Sequence, residues 1–138
     1  MTMVLVIDDD PGVRSVIRLV LEDEDFDVVE AKSGREGIAL FGAHAPDVVV
    51  TDIVMPDMEG IEAIITLRRI DPNVRLVAIS GGGRIRNKDY LDAALRLGAD
   101  RVLPKPFEDD VLVGIVKELM SQPAAAVNLR PEVARQRP

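Results

Sequence analysis

Cysteine and tryptophan are both absent from the 138 residues. Without cysteine, disulfides and thiolate metal sites are excluded. Aromatics are nearly missing as well. Phe26, Phe41, Phe107 and Tyr90 are the whole set, so stacking of bases on an aromatic platform is not a plausible activity. Positive charge is in deficit, with 17 Lys and Arg against 24 Asp and Glu and a net charge of −7. That balance argues against binding nucleic acid or an anionic membrane through charge. The opening "MTMVLVIDDD" has no basic start and meets acid after a short apolar run. It is neither a signal peptide nor a membrane span, which predicts a soluble, cytoplasmic protein.

The length suits one domain with a single core, and 47% of the residues are hydrophobic. Short apolar runs alternate with segments of helical period. The run 3–7, "MVLVI", has the continuous character of a strand buried on both faces. Behind Pro11, a good first-turn residue, Val13, Val16, Ile17, Val20 and Leu21 recur at helix spacing. Residues 26–31 read as a second strand, and Ser33 with Glu36 forms a capping-box pattern for a second helix through Ile38 and Phe41. Strands follow at 47–51, 75–79 and 101–103. Helices are predicted over 60–70, over 87–97 with Gly98 as its stop, and from Glu108 through Val111, Leu112, Ile115, Val116 and Leu119. Five βα units with right-handed crossovers make a doubly wound α/β fold, an open parallel sheet with helices on both faces. The domain is expected over 1–121. Residues 122–138, with three prolines, three arginines and no apolar period, read as a flexible tail or linker stub.

Ligands of such sheets bind beyond the C-terminal ends of the strands. The residues placed there are Asp8, Asp9 and Asp10 after the first strand, Asp52 after the third, Ser80 after the fourth and Lys105 after the fifth. Asp10, just before Pro11, suits a helix N-cap. The other carboxylates would repel one another when brought together, and a bound cation resolves this. An all-oxygen set suits Mg²⁺. Cation, hydroxyl and ammonium are also what a phosphoryl group needs during in-line transfer, with Asp52 as nucleophile. No nucleotide site is visible: "GGGR" lacks the P-loop spacing, and no GxGxxG follows the first strand.

Four separated segments, "VLVIDDDPGVR", "DVVVTDIVMPDMEG", "LVAISGGG" and "LPKPF", together resemble the receiver domain of two-component response regulators, the CheY-like family. The resemblance covers residues 2–121. It implies a flavodoxin-like three-layer sandwich with strand order 2-1-3-4-5. It also implies that Asp52 is the phosphoacceptor, that Asp9, Asp52 and the backbone carbonyl of Val54 ligate Mg²⁺ directly, and that Asp8 acts mainly through water. Ser80 would bond a phosphoryl oxygen and shift inward on activation, Lys105 would pair with the phosphoryl group, and a cis bond would precede Pro106. The implied donor is a sensor histidine kinase or a histidine phosphotransfer protein. It would be a separate molecule, because the one histidine, His44, reads as a surface residue. Output would be a protein target bound through the fourth helix, fifth strand and fifth helix.

Three features depart from the pattern. Val102 stands where the family usually carries a switch aromatic, and the stretch from Ser80 to Gly98 is longer and holds three consecutive glycines. Val54 and Gly82, each two residues past a site residue, offer no side chain to hold a water. The implied phosphoprotein is therefore long-lived. Val54 also argues against a haloacid-dehalogenase-type phosphatase, whose chemistry wants a second acid at that spacing. The expectation is a signalling switch, not an enzyme, with a phosphorylation-independent pseudo-receiver as the alternative.

Overall fold

A computed structural model describes residues 2–53, 60–80 and 87–122, with backbone alone over 87–91. Strands and helices alternate throughout: β1 (Met3–Ile7), α1 (Pro11–Glu22), β2 (Asp27–Ala31), α2 (Gly34–His44), β3 (Val48–Asp52), α3 (Gly60–Ile70), β4 (Arg75–Ser80), α4 (Asn87–Leu97), β5 (Arg101–Pro104) and α5 (Asp109–Met120). All strand pairs are parallel, in the order β2-β1-β3-β4-β5. This is the doubly wound order implied by the resemblance. The chain reverses its direction of travel between β1 and β3, so the crevice above those two strands is the switch point where such sheets bind ligands.

Side-chain alternation on the strands divides the core into two layers. Val4, Val6, Val48, Val50, Val77 and Ile79 face α1 and α5, where Ile17, Leu21, Leu112 and Val116 complete one cluster. Leu5, Ile7, Val49, Leu76 and Ala78 face the other helices, meeting Phe41, Ile64, Leu67 and Ala94. The central strands are apolar on both faces because both faces are covered.

The helix ends follow their capping chemistry. Asp10 Oδ1 accepts from the N–H groups of Gly12 at 2.8 Å and Val13 at 3.3 Å, with Pro11 in the first turn. Ser33 Oγ accepts from Glu36 N–H at 3.1 Å, while the Glu36 carboxylate takes the Lys32 N–H rather than that of Ser33. Gly98, with φ 141°, ends α4 in the left-handed region. Arg75 donates to the carbonyls of Leu119 at 2.9 Å and Gln122 at 2.8 Å, closing the C-terminal end of α5.

Two details differ from the periodic pattern. Val16 and Val111 share the apolar spacing of their helices yet are 53% and 45% exposed. The apolar stripe is wider than the contact with the sheet, which Ile17, Leu21, Leu112 and Val116 fill. In addition, β3 and β4 each run one residue further than the apolar run, to Asp52 and Ser80. A polar side chain ends the hydrophobic pattern, but the backbone ladder continues through it. Among the described residues no helix is long and apolar enough to cross a membrane.

Candidate functional site

Asp8 follows β1 directly, and its surroundings fix it closely. Its N–H donates to the Ala31 carbonyl at 3.1 Å, its own carbonyl accepts from Arg14 Nη1 at 2.7 Å, and its Oδ1 accepts from Asp10 N–H at 2.9 Å. The carboxylate is buried, with Oδ2 turned to Lys105. Asp9, next in the chain, is exposed.

Asp52 closes β3, its backbone paired in register with Ile79 of β4. Thr51 Oγ1 donates to the Asp52 carbonyl at 3.0 Å, and Ile53 N–H donates to the Ile79 carbonyl at 2.9 Å, so the ladder extends past the site. Asp52 is buried, at 6% exposed. Gly60 seats the start of α3 against this backbone. A Cβ at position 60 would lie 2.0 Å from the Asp52 carbonyl oxygen and 2.2 Å from Ile53 Cα, so only glycine permits the approach.

Ser80 is buried at the end of β4, and its carbonyl accepts from Lys105 N–H at 2.8 Å. That bond sets the β5–α5 connection, in which Lys105–Pro106 is cis. Lys105 Nζ then reaches back across the sheet edge to Asp8 Oδ2 at 3.1 Å and Asp52 Oδ2 at 3.5 Å. Burial pulls the Lys105 ammonium toward deprotonation, but attraction to Asp52 and Asp8 together outweighs it and raises its pKa. The lysine is therefore a fixed positive charge.

Asp8, Asp9 and Asp52 each offer a carboxylate oxygen within 4.8 Å of the others. Among the described residues, three formal negative charges face the ammonium of Lys105 here. The remaining imbalance matches a divalent cation, and the all-oxygen donor set suits a hard one such as Mg²⁺. The residues fit the metal.

Of the residues expected at the site, Asp8, Asp9, Asp52, Ser80 and Lys105 lie together at the C-terminal edge of the sheet. Val54 and Gly82 lie outside the described residues, as does the side chain of Tyr90. Val102 is partly buried against the α2–α4 side of the core. Two further residues shape the site without appearing in the sequence motifs: Arg14, which holds the Asp8 carbonyl, and Gly60, which the sequence marks only as the start of the third helix. The one available signal was a glycine opening a helix with no N-terminal cap role to explain it.

Comparison with known proteins gives a consistent result. The family model described as the response regulator receiver domain matches residues 4–117. The chemotaxis protein CheY of Bacillus subtilis is 35% identical over 118 residues, spanning 84% of this chain and 96% of that protein. The transcriptional regulatory protein GlrR of Escherichia coli is 29% identical over 126 residues, 91% of this chain but 28% of GlrR. Among solved structures, a response regulator receiver domain protein from Clostridium thermocellum superposes with a TM-score of 0.81 at 28% identity, over 88% of this chain and 95% of that one.

Proposed function

The chain belongs to the response regulator receiver family, and on that premise we propose that it is a phosphoryl-accepting switch whose acceptor is Asp52. The observation that carries this reading is Lys105 Nζ held between Asp8 at 3.1 Å and Asp52 at 3.5 Å, at the mouth of the β1–β3 crevice.

The donor is a phosphohistidine on a sensor histidine kinase or phosphotransfer protein. His44 is exposed at the end of α2, where the chain enters β3 at the opposite edge of the sheet, and cannot serve. An Asp52 oxygen attacks phosphorus as the P–N bond breaks. The imidazole leaves with that electron pair and takes up a proton, and Asp52 becomes an acyl phosphate. Lys105 presents its fixed charge to the phosphoryl oxygens, and the Ser80 hydroxyl donates a hydrogen bond to one of them. Asp9, Asp52 and the Val54 carbonyl would hold Mg²⁺ directly and Asp8 mainly through water, and the bound cation would further neutralise phosphoryl charge. The new charge on Asp52 changes what Ser80 and Lys105 face. It thereby biases a two-state equilibrium of the α4–β5–α5 face that a protein target reads in the cytoplasm.

Incubation with Mg²⁺ and acetyl phosphate, followed by intact-mass measurement, tests the reading. One phosphoryl adduct is expected on the protein and none on Asp52→Asn, with beryllofluoride binding showing the same dependence. No adduct in either protein would favour a phosphorylation-independent interaction module, and repeated turnover of phosphate esters a phosphatase. Val54 and Gly82 predict slow loss of the adduct. Val54→Asn is expected to shorten its lifetime, as followed by mass over time, and an unchanged lifetime would count against this assignment.

A further inference from the structure

Two clefts lie between α1 and α5 and share Asp109 as a wall. The larger, of about 640 Å³, passes Lys105 and Pro106 and runs over Val13, Val16 and Ile17 to Phe107. The smaller, of about 230 Å³, continues between Val20 and Val113. The apolar floor is open to solvent at Val16, which is 53% exposed.

The rim of this groove is acidic. Asp10 and Asp109 border the larger cleft, and Asp23, Glu24 and Asp110 border the smaller. Among the described residues, Glu24 alone of these five has a cationic partner, Lys117 at 2.6 Å. An apolar trough edged with carboxylates suits a basic occupant that carries a few aliphatic side chains.

The chain contains such a segment. Residues 123–138, "PAAAVNLRPEVARQRP", hold three arginines against one glutamate, with Val127, Leu129 and Val133 among them. The segment is net positive in a chain of net charge −7. It departs from a fixed point, because the Gln122 carbonyl is held by Arg75. The 12 residues of α5 are about 18 Å long, whereas sixteen residues reach about 50 Å when extended. The segment can therefore return along the full length of the groove. Its sequence has no apolar period of its own, so the groove supplies the apolar surface for its aliphatic side chains.

We propose that residues 123–138 dock in cis in the α1–α5 groove, with arginines on the acidic rim and aliphatic side chains on the apolar floor. Lys105 and Pro106 line the upper end of the same groove. The docking itself does not depend on whether Asp52 is phosphorylated.

The chain has no cysteine, so Ala134→Cys in the full chain provides a single attachment point for a nitroxide label. The label is expected to broaden the amide resonances of Val16, Val20 and Val113 strongly and to spare Leu40 and Ala63 on the other side of the sheet. Reversing the tail charge in the labelled full chain, with Arg130→Glu, Arg135→Glu and Arg137→Glu, is expected to abolish the effect. Broadening confined to the last turn of α5, or spread evenly over the molecule, would leave a solvated tail and overturn the proposal. Unchanged broadening in the charge-reversed chain would overturn its electrostatic basis. Mixing labelled protein with isotope-enriched unlabelled protein separates the remaining occupant: broadening that persists in the mixture means a second copy fills the groove, and the cis assignment fails.

Discussion

Glu30 faces two arginines of the helix beside it. Its carboxylate accepts from Arg18 Nη1 at 2.9 Å and from Arg14 Nε at 3.1 Å, while Arg18 also meets Glu22 at 3.0 Å. The hydrogen bond from Arg18 holds the Glu30 carboxyl below the usual carboxylate range, against the opposing effect of burial and with added help from Arg14. A depressed folded-state pKa contributes stability that is present above the unfolded value, about 4.3, and is lost as pH falls through the folded value. Glu30→Gln is therefore expected to flatten the acid limb of the stability profile. At neutral pH the cost should be on the order of 1 kcal/mol, since the pair is partly solvated. Urea midpoints measured from about pH 2 to pH 6 check this, and an acid limb as steep as the parent's would contradict it. The network was not legible in the sequence, because nothing in a one-dimensional pattern pairs residues 14 and 18 with 30 until α1 lies beside β2. Asp8, Asp9, Asp52, Ser80 and Lys105 were legible for the opposite reason. Each follows or ends a strand, and a parallel sheet brings all such ends to one edge whatever the details of packing.

At the scale of elements, α3 does most to join the site to the frame, and it does so at both ends. Its first residue, Gly60, rests on the Asp52–Ile53 backbone, with Gly60 N–H donating to the Ile53 carbonyl at 3.2 Å. Gly60→Ala must push that backbone aside, an overpacking that typically costs about 1–3 kcal/mol. It should also weaken Mg²⁺ binding, read by titration, because Asp52 moves with its carbonyl. Gly42→Ala is the control. Nothing lies within 4 Å of a Cβ there, so the better helix propensity of alanine should raise stability by about 0.5–1 kcal/mol. Near the other end of α3, Arg68 pairs with Asp100 at 3.1 Å and donates to the carbonyls of Gly98, Pro72 and Val74. Asp100 is 2% exposed and also accepts the Leu76 N–H at 2.8 Å. Asp100→Ala would remove the carboxylate from a largely buried ion pair and the acceptor of the Leu76 amide, a loss of about 3–5 kcal/mol. Because this network lies where β4 begins, at the sheet edge opposite the carboxylates, Mg²⁺ affinity should be unchanged in the same variant. Denaturation and metal titration on both variants thus separate the two ends of one helix. The sequence placed the helix itself correctly, since its apolar period is regular. Neither anchor could be read from it, because a close approach and a buried ion pair are properties of the neighbours and not of the period.

For the molecule as a whole, the fold gathers negative charge in a chain that already carries −7. Carboxylate oxygens of Asp8, Asp9 and Asp52 lie within 4.8 Å of one another, and among the described residues Lys105 opposes them. Coulomb repulsion at such distances disfavours the folded state unless a cation offsets it, so metal binding and stability must be coupled. Saturation at about 100 times the dissociation constant adds about 2.7 kcal/mol. Mg²⁺ should therefore raise the melting temperature, and a chelator should reverse the gain. Asp52→Asn sharpens the prediction, because among the described residues it removes one carboxylate that faces two others and the Lys105 ammonium. Among these described charges, the attraction lost to Lys105, at 3.5 Å, is smaller than the repulsion relieved toward two carboxylates within 4.8 Å. The variant should consequently melt higher than the parent in chelator, yet gain less when Mg²⁺ is added. Thermal unfolding of the two proteins with and without Mg²⁺ gives all four values. Equal gains from Mg²⁺ in both would place the cation away from Asp52. A lower melting temperature for the variant in chelator would mean that the Lys105–Asp52 attraction outweighs the crowding of like charge.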